Sequence, residues 1–383
     1  MKRKPTRLDS VRIRNFKAIR DSGAVKLTPL TVLIGNNGSG KSSLVEALET
    51  AKTMVVGDLD RAMQLWRGIE HIRHMGQKPQ YRHDGTGALT ARSGLEFHLR
   101  GRLGGEKFTA ASVVNERGGA NEVFFESESV QIGPASYTRP GELNTPVNGT
   151  RSSISRLGPS YSLLTPLLGE YIGRWQFLRL SPQEMGRPRP QTRSRAEIQL
   201  ATDGSNVAEY LLEIRSLDPE AFEGIIETLQ FVLPYASDMQ PTITTELERA
   251  VYLQMSEADY KVPGWLLSTG TLRVLALLAC LRHPSPPPLL VIEELENGLD
   301  PRTIHLFVEE IRAALADGEM QIIVTTHSPF LLDLFDLSHL VVVERVDGRP
   351  TFTRPGEEAL AEWSKSFSPG RLYTMGRLTR GGQ

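Results

Sequence analysis

The sequence predicts an α/β protein with a mostly parallel core sheet, an antiparallel β subdomain and a helical lobe. Three observations carry that reading. Thr31–Ile34, Leu289–Ile292 and Gln321–Thr326 are short, almost wholly apolar runs, and each ends in residues able to do chemistry, as strands buried on both faces do at their C-terminal edge. Leu95–Leu99 and Phe108–Val114 have strand character and are separated by the pair Gly104-Gly105. Val207–Val232 is helical, with one break at Ser216-Leu-Asp-Pro. On this basis residues 1–190 form a first lobe with the antiparallel subdomain, 191–245 a helical insertion, and 246–383 a second lobe with a C-terminal tail.

Composition bounds the function. At 383 residues the chain has length for two or three domains, and 39% hydrophobic residues suffice for a sizeable core. The formal net charge of −1 gives no global basic field, so any nucleic-acid contact has to come from a local patch. The single cysteine, Cys280, sits in an apolar run and reads as a small buried hydrophobe. The basic N-terminus lacks an apolar secretory segment and no run approaches the length of a membrane span, so a soluble cytoplasmic chain with no membrane partner is expected.

In chain order, Leu8–Ile13 alternates as a first strand and leads into the polar turn Arg14-Asn15-Phe16-Lys17. Thr31–Leu48 then reads as strand, glycine-rich turn and helix start in unbroken succession. Gly35, Gly38 and Gly40 allow a tight turn whose N–H groups point inward at the start of the helix, a cradle for phosphate oxygens. The pattern Gly-x-x-x-x-Gly-Lys-Ser makes Asn36, Asn37, Gly38, Ser39, Gly40, Lys41, Ser42 and Ser43 the candidate nucleotide-binding residues, with Lys41 as the point charge and Ser42 as a hydroxyl for Mg²⁺. Leu44, Val45 and Leu48 continue at helical spacing, and Asp60–Arg73 keeps helical character.

Gly133–Pro159 is rich in Ser, Thr, Gly, Pro and Asn and is expected to be an exposed loop. Trp175–Leu180 is a further strand. Arg187–Arg195 is a proline-broken basic loop, a solvated run or a contact for a phosphate backbone. Asp218 or Ser216 can cap a second helix over Pro219, and Leu211, Leu212 and Ile214 of the first helical segment, followed by Phe222, Ile225, Ile226, Leu229 and Val232 of the second, give an apolar face. Leu266-Leu-Ser268-Thr-Gly270 opens another helix, whose orphan N–H groups favour an anion. Glu293 and Glu294 emerge at the end of Leu289–Ile292, and Asp300 caps a helix that begins at Pro301. His327 follows the strand Gln321–Thr326.

These motifs, in this order, resemble the SMC, RecF and OLD-like branch of the ABC-type P-loop ATPases. The resemblance implies ATP and Mg²⁺ as cofactors and a pair of heads arranged head to tail. It assigns Ser268 and Gly270 to the signature that closes over the γ-phosphate bound by a second subunit. Glu293 is implied to hold Mg²⁺, with a side chain one methylene longer than the usual Asp, and Glu294 to polarise the attacking water. Asp300 falls in the loop that crosses the dimer interface, and His327 matches the switch histidine that contacts the γ-phosphate. Arg14, Asn15 and Lys17 match polar residues that lie near the nucleotide. Gln183 and Gln176 are both candidates for the glutamine that reaches the metal, Gln183 being taken first. Between the P-loop and the signature no sustained heptads occur, so coiled-coil arms are not expected.

Such a head either clamps DNA in repair or maintenance or serves as sensor and scaffold for a separate effector protein, a nuclease or toxin, in phage defence. The absence of arms and of basic character favours the second. A transporter subunit is the third class. Fewer than about sixty residues follow His327, well below an ordinary domain, so no nuclease chemistry is expected from the chain itself.

Overall fold

The computed structural model describes residues 5–76, 81–83, 89–91, 93–117, 122–139, 150–154, 164–192, 197–236, 238–244, 248–257, 259–356 and 363–378. Chain contacts divide it into two units, Met1–Trp175 with Phe335–Gln383, and Gln176–Leu334.

Among the described residues the first unit contains a nine-stranded sheet whose main path runs Ala135–Thr138, Glu122–Ile132, Glu106–Arg117, Leu95–Leu103, Arg7–Phe16 and Ile19–Asp21. Every pairing within it is antiparallel, so the expected subdomain is present. The first strand extends past Ile13 to Phe16, and its register shifts between Leu8 and Ser10. That bulge reconciles the buried Leu8 with Val11 and Ile13, which would face opposite sides of an unbroken strand.

In the same unit Leu30–Ile34 pairs in parallel with Leu340–Val346, which turns back antiparallel into Arg349–Thr353. All five residues of Leu30–Ile34 are buried, as the apolar run requires. The helix Lys41–Val56 follows and packs against Leu164–Gly173. The expected helical stretch Asp60–Arg73 is two short helices, Leu59–Gln64 and Ile69–Ile72. Arg67 and Gly68, at φ of 64° and 126°, break the helical path between them.

The Gly133–Pro159 loop departs from expectation where it is described, since Ser152, Ser153 and Ile154 are buried. Their anchor is Glu128, 0% exposed. Its carboxylate accepts from Arg139 Nη1 at 2.9 Å, Ser152 Oγ at 2.7 Å, and Ser153 N and Oγ at 2.8 and 2.9 Å, so a buried charge is fully paired. Residues 140–149 and 155–159 of that stretch lie outside the described residues, as do Arg193–Arg195 of the basic loop and Arg380 of the tail.

In the second unit Gln176–Leu178, Leu289–Ile292 and Gln321–Thr326 form parallel pairs in that order. Helices Val207–Leu217 and Pro219–Val232 meet at Asp218, whose side chain accepts from Ala221 N. Leu211, Ile214, Phe222, Ile225, Ile226 and Leu229 are buried on the expected face. A four-stranded antiparallel sheet built from Arg189–Pro190, Ala250–Glu257, Asp238–Ile243 and Tyr260–Pro263 lies outside the expectations. Pro241 masks one of its strands, because proline is rare within sheets. Val251, Leu253 and Met255 alternate in burial and are a legible signal for another.

Candidate functional site

Each unit carries one constellation. In the first, the chain leaves the buried strand Leu30–Ile34 at Gly35, where a Cβ would stand 2.1 Å from the Val343 carbonyl oxygen. Only glycine fits this turn. Gly38 and Gly40 take φ of 74° and 116°, left-handed conformations that complete the loop. Gly40 caps the helix Lys41–Val56 without a side-chain acceptor, which leaves the first-turn N–H groups to a ligand.

Lys41 is buried, and its Nζ donates to the carbonyl oxygens of Gly35 at 2.5 Å and Asn36 at 3.2 Å, so the ammonium sits within the loop's own curve. Asn36, Asn37, Gly38 and Ser39 line a cavity of about 770 Å³. Ser39 is 6% exposed and its Oγ has no hydrogen-bond partner among the described residues. A buried hydroxyl without a partner, a lysine ammonium and a row of backbone N–H groups form a donor set that fits the oxygens of a polyphosphate. Ser42 is exposed at the first turn, and Ser43 is buried behind it.

The polar turn after the first strand is pinned elsewhere. Arg14 pairs with Asp21 at 3.1 Å and Glu96 at 3.2 Å, and Asn15 Nδ2 donates to Gly94 O at 2.9 Å. Neither residue is among those that line this cavity. Lys17 touches the loop helix, with Nζ 2.8 Å from Glu46 and 3.5 Å from the centre of the Trp66 ring. Arg345 and Tyr373 were not legible as site residues. Arg345 Nε donates to Gly38 O at 2.8 Å, and Tyr373 Oη donates to Asn36 Oδ1 at 3.1 Å. Each contact spans more than 300 residues of chain, and no sequence period signals a pairing at that range.

The second constellation is built on acids. Glu293 and Glu294 leave the buried strand Leu289–Ile292. Glu293 accepts from Arg179 Nε at 2.9 Å and Nη2 at 2.5 Å. Glu294 sits at φ 50°, a region that costs a non-glycine residue roughly 1–2 kcal/mol. Its N–H donates to Thr325 Oγ1 at 2.9 Å, and Asn297 Nδ2 donates to its carboxylate. Strain held in place by specific partners is a mark of functional positions.

Glu296, which the sequence reading passed over, accepts from Thr326 Oγ1 at 2.8 Å and from the His327 N–H at 3.0 Å. The half-exposed His327 ring lies 3.5 Å from the same oxygen. Its signal was an acid three residues past Glu293 in a turn between motif residues.

Ser268 caps the helix Thr269–Leu281 and accepts from Thr271 N at 3.0 Å. A Cβ on Gly270 would lie 3.0 Å from Gly298 O, so the first turn of this helix rests on the loop that leads to Asp300. Asp300 accepts from Arg302 N, Thr303 N and the Thr303 hydroxyl. Those donors, the hydroxyl first, hold its carboxyl below the usual range. Gln183 is exposed on the short helix Pro182–Met185 and accepts from Ser181 Oγ at 3.3 Å, while Gln176 is buried and donates to Leu200 O at 2.8 Å. Arg187 and Arg189 of the basic loop pair with Glu184. Among the described residues no group of three His, Cys, Asp or Glu could hold a metal ion by itself. A Mg²⁺ bound chiefly through phosphate oxygens and water needs only one or two protein ligands, and the exposed hydroxyl of Ser42 at the first turn of the loop helix is of the right chemistry for one.

Comparison with known proteins bears on both constellations. Residues 164–333 match a family described as "AAA domain, putative AbiEii toxin, Type IV TA system", and residues 7–54 match one described as "AAA ATPase domain". A Nod factor export ATP-binding protein I from Sinorhizobium fredii is 38% identical over 116 residues, 28% of this chain and 32% of the relative. The matched stretch spans 32% of that relative, and a second Nod factor export ATP-binding protein I, from Bradyrhizobium diazoefficiens, is 46% identical over 72 residues, 19% of this chain and 22% of that relative. Among solved structures, an Smc head domain from Pyrococcus furiosus, bound to the C-terminal domain of ScpA, aligns with TM-score 0.54 at 13% identity, covering 94% of this chain and 98% of that one. An SmcHead bound to the C-winged helix domain of ScpA aligns with TM-score 0.53 at 13% identity, covering 91% and 97%. The fold is that of an ABC-type P-loop ATPase head of the SMC type. No helix among the described residues is long and apolar enough to cross a membrane.

Proposed function

We propose that this chain is a Mg²⁺-dependent ATPase that binds and hydrolyses ATP between two head-to-tail subunits, and that it acts as sensor and scaffold for a separate nuclease or toxin effector in phage defence. The observation that carries the hydrolytic reading is Glu294, held in a left-handed conformation by Thr325 and Asn297 at the end of a buried strand. The family matched over residues 164–333 supports the defence setting.

ATP, as substrate, would supply the phosphoanhydride that is cleaved, and Mg²⁺ when bound would supply neutralisation of charge on its oxygens. The chain's own residues position and polarise. Lys41 exchanges the Gly35 and Asn36 carbonyls for phosphate oxygens, and the loop amides and Ser39 hold the same group. Ser42, Glu293 and Gln183 are each proposed as residues that would hold the metal, and Glu293 would have to release Arg179 to do so. Glu294 orients the attacking water and draws on its proton, while Asn297 fixes the carboxylate. Glu296 holds the His327 backbone, and Ser268, Gly270 and Asp300 are offered to the second subunit.

The test is steady-state hydrolysis with protection from phage read in parallel. Glu294→Gln should retain ATP binding, lose turnover, accumulate a closed dimer and abolish protection by cells carrying the chain with its neighbouring genes. Wild-type turnover in that variant removes Glu294 from its role. The SMC-type fold favours a second reading, a DNA-binding ATPase in repair. Duplex binding that falls steeply with salt would support it.

A further inference from the structure

The C-terminal segment reaches the phosphate loop. Helix Pro369–Thr374 is anchored by Leu372, and Leu378 beyond it is buried as well. Arg377 lies 4.8 Å from the centre of the Trp363 ring, which ties the two ends of residues 363–378 together. Tyr373, Thr374 and Gly376 supply one wall of the cavity whose other walls are Gly35–Ser39 and Val343–Arg345. All of these residues belong to the first unit.

We propose that Tyr373 is a positioning residue for the nucleotide loop: its hydroxyl fixes Asn36, and docking of residues 369–376 and binding of the triphosphate are thereby coupled. The inference rests on the ATP reading above. Its geometry is a single hydrogen bond, Tyr373 Oη to Asn36 Oδ1 at 3.1 Å, at the residue that opens the loop. An amide whose Oδ1 accepts from a phenol presents Nδ2 as its remaining donor, which is the half that an anionic oxygen needs. Burial and the neighbouring Glu344 push the Tyr373 phenol up from its ordinary value, so it stays a donor throughout the neutral range. Arg345 holds Gly38 from the adjacent strand, so the loop is gripped at two points from the chain's C-terminal third. A ligand that orders the loop therefore orders residues 369–376, and release of those residues loosens the loop.

The experiment compares wild type, Tyr373→Phe, Asn36→Ala and the double variant. Affinity for the Mg²⁺ complex of adenylyl imidodiphosphate is measured by calorimetry, and amide exchange of residues 369–376 is followed with and without it. Tyr373→Phe should weaken affinity roughly fivefold, the scale of one neutral hydrogen bond, with a native thermal melt. In wild type the analogue should slow exchange at 369–376, and in Tyr373→Phe this protection should be lost. The double variant should bind no more weakly than Asn36→Ala alone. Wild-type affinity and protection in Tyr373→Phe, or additive losses in the double variant, would overturn the proposal. If wild type itself fails to bind the analogue, the ATP reading falls first and the coupling falls with it.

Discussion

The phosphate loop and the acidic strand end solve the problem of preorganisation in opposite ways. The loop puts its strain where glycine absorbs it: Gly38 and Gly40 occupy left-handed φ at no side-chain cost. The acidic end places the strained φ on Glu294, a residue with a full side chain, and holds it by contacts from Thr325 and Asn297. A binding cradle needs only backbone N–H groups, so glycine serves. A site that must aim a carboxylate cannot use glycine and has to hold its strain by tertiary contacts.

Four experiments break or sharpen that contrast. The largest effect is expected for Glu294→Gln, which should lower kcat by about 10²- to 10⁴-fold with ATP affinity retained, as measured by coupled phosphate release and calorimetry. Lys41→Ala should act on binding itself, weakening the triphosphate by about tenfold to a hundredfold. Unchanged affinity would undo the assignment of the cradle. Next come the strained positions. Glu294→Gly should raise stability by about 1 kcal/mol in urea unfolding while abolishing turnover. Gly40→Ala, at φ 116° with a Cβ 2.8 Å from Pro350, should instead lower stability. Equal signs for the two would erase the distinction.

The smallest effect concerns Lys52 on the loop helix, whose burial lowers its pKa to about 8. The folded state binds fewer protons there than the unfolded state between about pH 8 and the ordinary lysine value near 10.4, so stability should rise with pH across that window. Lys52→Met should flatten the rise, as read from chemical denaturation at a series of pH values.

Legibility in the sequence followed range. The loop from Gly35 to Ser43, the strand Leu289–Ile292 with its two glutamates, the Asp300 cap and the Asp218 break were legible because their partners lie within a few residues. Burial pattern and capping chemistry are both local signals. Arg179 on Glu293, Arg345 on Gly38 and Tyr373 on Asn36 were not legible, because each pairing is made by the fold and leaves no periodic trace. Arg14 and Asn15 show the converse: a local motif drew attention to them, yet Asp21, Glu96 and Gly94 O already engage their side chains. The strand Asp238–Ile243 was hidden by its own Pro241.

The ion cluster around Glu128 has a consequence for how this chain can be altered. Arg139 donates to Glu128 and to the Arg151 carbonyl, and Ser152 and Ser153 close on the same carboxylate, so the two ends of residues 140–150 are stapled to one buried point. With Arg139 and Arg151 held at that point, an insertion between them is closed by the same contacts, and each doubling of a closed segment adds only about 0.6 kcal/mol of closure entropy. A fluorescent reporter or a protease site placed between Arg139 and Arg151 should therefore leave both constellations intact. In evolutionary terms, it is the place where such a head could gain a module without relearning how to fold.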